Sequence, residues 1–422
     1  MRKKELIRSR QEGEDFLSRI KSIGIVGAGE SGLSLARLAK RLGKRVKLTE
    51  INRNLSSQTL KYLKELGIEL ELGLHTQTFL KDLDLLLLSP GVDTNYFCKN
   101  YLQDLNLPCI GEVEFSYWLC QSKNIIAITG TNGKTTTTFI VGELLKNLAD
   151  REVYVLGNIG RPFSSEVLNI KEQDIVVLEI SSFQLETIYS FKPFIGSLLN
   201  FSQDHLDRYP DLESYFLAKK RIFMNQDSWD YALFPRQLKE KLRDIKAKKI
   251  SIEAQDNIPF IEKILEILKI EPEKLHSFLE EFKGLPHRLE FVAEKRGVKF
   301  INDSKATNVS STAFALRVLK DRILLLAGGK DKGLDYSLIR PYLGGVRKVF
   351  LFGEAKEKIK NALEGVVFLE EAKNLEEALF LAYKSAQEND IILLSPMCSS
   401  FDMFKDYKER GEVFKRLVYE LK

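Results

Sequence analysis

Between Ile125 and Thr138 the chain reads I-I-A-I-T-G-T-N-G-K-T-T-T-T, and these residue types in this order suit one task, gripping a triphosphate. An apolar run leads into Gly130, Thr131, Asn132 and Gly133, whose backbone N–H groups can converge on phosphate oxygens. Lys134 adds a mobile cation, Thr135 a hydroxyl for Mg²⁺ with Thr136 in the same turn, and the helix they begin contributes its positive end. The spacing is shorter than the general phosphate-loop pattern, with Ile128 where that pattern wants glycine. An ordinary strand, turn and helix with a surface lysine is the competing reading. Glu179 follows the apolar Ile175 to Leu178, so its carboxylate stands at a strand's carboxyl end and suits Mg²⁺, which takes oxygen ligands. A capping or solvent-facing glutamate is the plainer alternative. His205, between Asp204 and Asp207 and one of four histidines, reads either as a metal ligand or as a core or surface histidine. Asp303 and Lys305, in D-S-K-A-T-N after the run V-K-F-I, either anchor a charged substrate group or are a helix cap and a surface lysine. Lys219 and Lys220, in S-Y-F-L-A-K-K-R-I-F, read by pattern alone as a solvated basic face.

Three strand-glycine-helix beginnings must position these groups, and each opens an α/β unit with a largely parallel sheet. The first is S-I-G-I-V-G-A-G-E-S-G-L-S, where Gly27, Gly29 and Gly32 satisfy G-x-G-x-x-G and Glu50 stands about 20 residues on, as a ribose-binding acid would. The apolar run Leu83 to Leu88 ends in Ser89-Pro90-Gly91, a polar turn where such sheets bind ligands. The second unit starts at the triphosphate loop and continues through Tyr154 to Gly160, Asp174 to Glu186 and Ile195 to Tyr209. The third holds Val298 to Asn308, Arg322 to Gly333, K-V-F-L-F-G-E and Asp390 to Pro396. The expected fold is therefore α/β with three domains: a Rossmann-like domain over 1–111, a central P-loop ATPase-type domain over 112–285 and a Rossmann-like C-terminal domain over 286–422, the turns near Gly111 and Gly284-Leu285-Pro286 marking the boundaries. On the glycine fingerprint alone the chain is a candidate NAD-dependent dehydrogenase or a nucleotide-binding regulatory protein. Hydride transfer has no use for a second triphosphate site, so the first domain reads better as a holder of a nucleotide-linked substrate's diphosphate.

At 422 residues the chain has room for two to four domains, and 44% hydrophobic with 29% charged residues is ordinary for a globular enzyme. A formal charge of +5 argues for no nucleic-acid partner, though anionic substrates suit it. Cys98, Cys109, Cys120 and Cys398 form no C-x-x-C pair, so neither zinc nor a disulfide framework is expected. The first residues lack the apolar core of a signal peptide and no later run suffices to span a bilayer, so a cytoplasmic protein without membrane insertion is expected.

Taken in order, G-T-N-G-K-T-T, G-N-I-G, L-E-I-S-S-F-Q-L-E, D-H-L-D-R-Y, L-P-H-R, D-S-K-A-T-N, G-G-K-D-K-G and S-P-M-C-S-S-F-D-M-F resemble the Mur ligases of peptidoglycan synthesis, from about Gly27 to Gly411. D-S-K-A-T-N together with D-H-L-D-R-Y favours the D-glutamate-adding branch. The resemblance implies an ATP-dependent ligase, acting as a monomer, that joins D-glutamate to UDP-N-acetylmuramoyl-L-alanine through an acyl phosphate and a tetrahedral intermediate. It implies two Mg²⁺ sites, one on Thr135 and Glu179, the other on His205 and a carbamylated lysine. That lysine is Lys219, since the family's A-K-x-R-I falls on Ala218 to Ile222, with Lys220 the alternative across a one-residue difference in the preceding loop. A bare ammonium about 4 Å from a divalent cation would be repelled by roughly 8 kcal/mol at an effective dielectric of about 20, and a carbamate reverses that sign.

The UDP substrate is assigned, by the same resemblance, to Gly27, Gly29, Ser31, Gly32, Glu50, Ser89, Pro90 and Gly91, with Asn158 and Gln184 reaching its muramoyl-alanine part. D-Glutamate is assigned to Thr307, Lys332, Ser400 and Tyr407, the last standing where phenylalanine is frequent. ATP is assigned to the triphosphate loop with Arg288, Asp303 and Lys305 from the third domain. The chain departs from the family at H-N-x-x-N, which here reads Asp256-Asn257-Ile258-Pro259-Phe260, leaving Asn257 as the residue carried over toward ATP. The span from Gln226 to Phe282 is also short for that part of the fold. Another Mur-type ligase, such as the diamino-acid-adding enzyme or folylpolyglutamate synthase, is the nearest alternative.

Overall fold

The computed structural model describes residues 7–102, 105, 107–253, 256–271 and 273–421. Among the described residues three sheets follow one another along the chain. The first comprises β1 (Ser22–Val26), β2 (Arg45–Glu50), β3 (Glu69–Leu72), β4 (Leu85–Leu88) and β5 (Cys109–Gly111), all parallel in the order β3-β2-β1-β4-β5. The order reverses between β1 and β4, so the crevice at their carboxyl ends is where such a sheet takes a ligand. The second comprises β6 (Asn124–Thr129), β7 (Val153–Gly157), β8 (Ile175–Glu179), β9 (Ile195–Leu198), β10 (Tyr231–Pro235) and β11 (Lys248–Ile252), parallel in the order β11-β10-β9-β6-β8-β7. The third comprises β12 (Glu290–Lys295), β13 (Val298–Asn302), β14 (Ile323–Gly328), β15 (Val346–Phe352), β16 (Phe368–Glu371) and β17 (Ile391–Leu394), in the order β12-β13-β17-β14-β15-β16. It is parallel except for the edge hairpin β12–β13.

The inner strands β4, β8 and β14 are apolar or nearly so and buried end to end, as strands covered by helices on both faces must be, whereas the edge strands β3, β11, β12 and β16 carry charged, partly exposed residues. Chain contacts group them into two compact units: one runs to Phe201 and includes Glu213–Leu279, the other combines Ser202–Leu212 with everything from Glu280 on. The first two sheets share one unit because one hydrophobic core passes through both, from Leu17 and Ile23 to Phe234 and Ala247. The helix Glu112–Leu119 is the seam. Its Trp118 is fully buried and donates its indole N–H to Glu114 Oε1 at 2.8 Å and Ser190 Oγ at 3.1 Å. The Glu114 carboxylate also accepts the backbone N–H groups of Tyr189, Ser190 and Phe191 at 2.8, 2.7 and 3.0 Å, so a buried charge is fully dressed by donors.

The charged N-terminal segment is the helix Arg10–Arg19, capped by Ser9, and it clamps this seam. Gly13 lies flat against Trp118, where a Cβ would approach the indole to 2.4 Å, and Phe16 meets the same ring edge-on with centroids 6.1 Å apart. Arg10 donates to the carbonyls of Cys120 and Ser122, and Lys44 closes the helix's carboxyl end through Leu17 O and Ile20 O at 2.7 and 2.8 Å. The four cysteines are free. Among the described residues no helix is long and apolar enough to cross a membrane.

Candidate active site

In the second sheet β6 lies between β8 and β9, so the loop leaving it is flanked by the carboxyl ends of two parallel neighbours. Gly133 caps the helix Lys134–Leu148 in the left-handed region, with φ of 77°. Lys134 Nζ folds over the loop and donates to the carbonyls of Gly130 and Thr131 at 2.9 and 2.8 Å. Glu179 pairs with Ile128 across the β6–β8 ladder, one strand from the loop. It is 1% exposed; its Oε1 accepts Asn158 Nδ2 at 2.7 Å, and its Oε2 has no hydrogen-bond partner among the described residues. A buried carboxylate with an uncommitted oxygen beside a triphosphate-type loop is a donor set of the hard, anionic kind Mg²⁺ takes, and the Thr135 hydroxyl in the helix's first turn adds a second oxygen.

Of the two neighbouring lysines, Lys219 turns inward. It is 1% exposed, lies over the Tyr215 ring at 4.6 Å and donates to Gly130 O at 2.8 Å. Lys220 faces outward and pairs with Asp244 at 2.7 Å. The solvated basic face expected from pattern alone therefore fails for Lys219, because the helix Leu212–Lys220 packs that side on the loop. Asn257 carries its amide to Gly133, where a Cβ would meet its Nδ2 at 1.7 Å.

The same unit holds a cleft of about 560 Å³ at the switch point of the first sheet. Gly27, Gly29, Ser31, Glu50, Ser89, Pro90, Gly91, Asn158 and Gln184 line it. Gly32 does not; it packs behind the wall against Gly27. Glu50 braces the glycine loop, accepting Ala28 N–H at 2.6 Å and Asn52 N–H at 2.8 Å. Gln184 is held in a capping box with Ser181 at the start of a short helix. Asn158 lines this cleft and also holds Glu179, joining the two sites.

The second unit carries the remaining expected residues: Asp303, Lys305 and Thr307 follow β13, Lys332 follows β14, Ser400 follows β17, Tyr407 opens the helix Tyr407–Glu420, Arg288 precedes β12, and His205 lies in Ser202–Leu212. Lys332, after β14, forms a buried ion pair with Asp204 at 2.9 Å, and Asn308 donates to the same carboxylate at 2.9 Å. Burial pushes the Asp204 carboxyl up, but the ammonium of Lys332 and the neighbouring His205 outweigh it and hold the group well below the usual range. His205 has a left-handed backbone, φ of 55°, and its Nε2 stands 3.7 Å from Asp204. Asp303, just past β13, accepts from Ser395 Oγ at 2.8 Å and Leu289 N–H at 3.3 Å; burial nonetheless pushes its carboxyl up to about 7. Lys305 lies 3.8 Å from the centroid of the Tyr407 ring, a close cation–π contact. Thr307 N–H bonds Lys305 O at 2.8 Å, Arg288 N–H bonds Leu285 O at 3.2 Å, and Ser400 O takes the N–H groups of Met403 and Phe404. Left-handed backbones at His287, Leu289 and Met397 mark these loops as conformationally costly for non-glycine residues.

Three features escaped sequence reasoning. Asn200, two residues past β9, bonds the triphosphate loop through both ends of its amide; the signal was a polar residue ending the strand next to β6. His75, Tyr96, Phe97 and Tyr101 line the first cleft, with His75 edge-on to Phe97 and Tyr101 at 5.2 Å each and its imidazole pushed below its ordinary pKa by burial. Asp204 is the partner of Lys332, and no local spacing connects positions so far apart.

Three family models match the chain: the Mur ligase MurD-like N-terminal domain over residues 21–111, the Mur ligase middle domain over 128–283, and the Mur ligase glutamate ligase domain over 287–398. The UDP-N-acetylmuramoylalanine–D-glutamate ligase of Caldanaerobacter subterraneus subsp. tengcongensis is 37% identical, covering 95% of this chain and 99% of the relative. That of Thermoanaerobacter pseudethanolicus is 38% identical with the same coverage, 95% and 99%. Among solved structures, the MurF ligase of Thermotoga maritima in complex with ADP aligns with a TM-score of 0.60 at 14% identity, over 99% of this chain and 100% of that one. The UDP-N-acetylmuramate-alanine ligase MurC of the same organism gives 0.58 at 20%, over 95% and 100%. At such identities the structural likeness speaks for the fold.

Proposed function

The chain belongs to the Mur ligase family, in the branch of UDP-N-acetylmuramoylalanine–D-glutamate ligases, and on that premise we propose that it joins the amine of D-glutamate to the L-alanyl carboxylate of UDP-N-acetylmuramoyl-L-alanine at the expense of ATP. A carboxylate resists nucleophiles because its charge opposes them. One of its oxygens attacks the γ-phosphorus, ADP leaves, and the acyl phosphate has a good leaving group. The D-glutamate amine, having lost a proton, adds to the carbonyl carbon, and the tetrahedral intermediate collapses by expelling phosphate.

The single observation that carries this reading is Asn158. It lines the first-sheet cleft and donates to Glu179 beside the triphosphate loop, so a substrate anchored by its UDP in that cleft ends where phosphoryl transfer would occur. On this reading residues 1–111 hold UDP through Gly27, Ser31, Glu50 and the Ser89-Pro90-Gly91 turn, and residues 112–285 hold ATP. Residues 286–422 carry Thr307, Lys332, Ser400 and Tyr407, which the family resemblance assigns to D-glutamate, and Arg288, Asp303 and Lys305, which it assigns to ATP. Lys134 offsets charge on the transferring phosphoryl, and the first-turn N–H groups of its helix orient the phosphates. Thr135 with Glu179 would hold one Mg²⁺ ion, and a carbamylated Lys219 would supply an oxygen ligand to a second. Bound there, Mg²⁺ supplies charge neutralisation on the phosphoryl oxygens.

Substrate labelled with ¹⁸O in the L-alanyl carboxylate tests the route. Released phosphate should carry one label, because the attacking oxygen leaves with phosphorus. Unlabelled phosphate formed in step with ligation would rule the acyl phosphate out.

A further inference from the structure

We propose that Asn200 is a positioning residue for phosphoryl transfer, fixing the triphosphate loop before the nucleotide arrives; this rests on the reading of that loop as the ATP site. β9 runs beside β6 with Leu198 opposite Thr129, and Leu199 N–H continues the ladder to Thr129 O at 2.9 Å. The next residue takes over where the ladder ends. Asn200 O accepts Thr131 N–H at 3.1 Å. Its side-chain Oδ1 accepts Asn132 N–H at 2.8 Å while Nδ2 donates to Asn132 O at 2.9 Å. Nδ2 also reaches Asn257 Oδ1 at 3.4 Å, and Asn257 in turn covers Gly133. Residues 131, 132 and 133 are thus held from outside the loop by one strand end and one amide neighbour.

A carboxamide carries its acceptor and its donor on separate atoms, so one side chain meets both the N–H and the C=O of Asn132. Aspartate, of equal size, keeps the acceptor for Asn132 N–H but sets a negative oxygen against Asn132 O and near the bound phosphates. With Asn132 N–H committed to Asn200, the phosphate donors are those of the helix's first turn, which by helix geometry have no intrahelical acceptor. Asn200 therefore sets the angle at which that turn meets the strand. It also gives Asn257 a role within the loop in place of the family's base-reading motif.

The test uses the full chain and the variants Asn200→Ala, Asn200→Asp, Asn257→Ala and Asn200→Ala with Asn257→Ala, each substrate varied in turn, with ADP affinity and thermal midpoint measured alongside. Asn200→Ala should lower kcat/KM for ATP by about 10- to 100-fold, weaken ADP binding, and leave KM for the UDP substrate and for D-glutamate unchanged. Asn200→Asp should lose at least as much, and adding Asn257→Ala should cost less than its own effect alone, since the two amides act on one loop. Should Asn200→Ala not fold, the isosteric aspartate read by ADP affinity decides. Wild-type ATP constants in a folded variant, or equal rises in KM for all three substrates, would overturn the proposal. Wild-type protein that binds no ADP would instead overturn the reading of the loop itself, and this inference with it.

Discussion

Lys219 and Lys220 are adjacent and opposite in fate, because successive helical residues point about 100° apart. Lys219 reaches Gly130 O from a buried position, whereas Lys220 pairs with Asp244 at the surface. Lys219→Ala should reduce ligation to background, with partial recovery on adding small carboxylic acids, while Lys220→Ala should keep most of it; ADP release is the readout, and the reverse pattern would move the assignment. Asp303 makes a prediction of a different kind. Its folded-state pKa, about 7, lies above the ordinary carboxylate value. The folded state therefore binds more protons than the unfolded between about pH 4 and pH 7, so this group's contribution to stability falls as pH rises through that window. Asparagine removes the charge, keeps one oxygen to accept Leu289 N–H, and can donate its Nδ2 to Ser395 Oγ in place of the bond Asp303 accepts there. The stability of Asp303→Asn relative to wild type should rise from pH 4 to pH 8 in denaturation curves; parallel curves would show that Asp303 is not protonated as described. Neither behaviour was legible in the sequence: A-K-K-R gives no inward direction, and D-S-K gives no burial.

At the level of elements the sequence was more transparent. Apolar runs ending in polar residues marked strands such as β8 and β13, and the run Leu83 to Leu88 appears as β4. A buried strand in a parallel sheet must be apolar along its length, so the signal survives without knowledge of its neighbours. Strand order did not show, and neither did β12, the outer strand of the edge hairpin, whose E-F-V-A-E-K pattern is too charged to stand out. Nor did the task of the N-terminal helix. Gly13 there sits against Trp118, which two hydrogen bonds hold in place. Gly→Ala in a helix ordinarily stabilises by about 1 kcal/mol. Here overpacking against a ring that cannot yield costs about 1–3 kcal/mol, so Gly13→Ala should lower the thermal midpoint; an unchanged or raised midpoint would mean the seam is looser than described.

Across the whole molecule, three sequence-level domains map onto three sheets but onto two compact units, since the first two sheets share a core and Ser202–Leu212 belongs with the third. The glycine loops announced the sheets because phosphate-binding turns are local in sequence. The Asp204–Lys332 pair is not local, and only the folded chain reveals it. Asp204→Asn leaves the buried Lys332 charge uncompensated, at a cost of about 3–5 kcal/mol. In calorimetry it should lower the transition of the second unit, as Gly13→Ala lowers that of the first; a shift of both transitions by either variant would contradict the division. The central assignment is the reaction itself. Phosphate release by the purified chain with ATP, Mg²⁺ and UDP-N-acetylmuramoyl-L-alanine should depend on D-glutamate, with L-glutamate and diaminopimelate giving none; release with another acceptor and none with D-glutamate would contradict it.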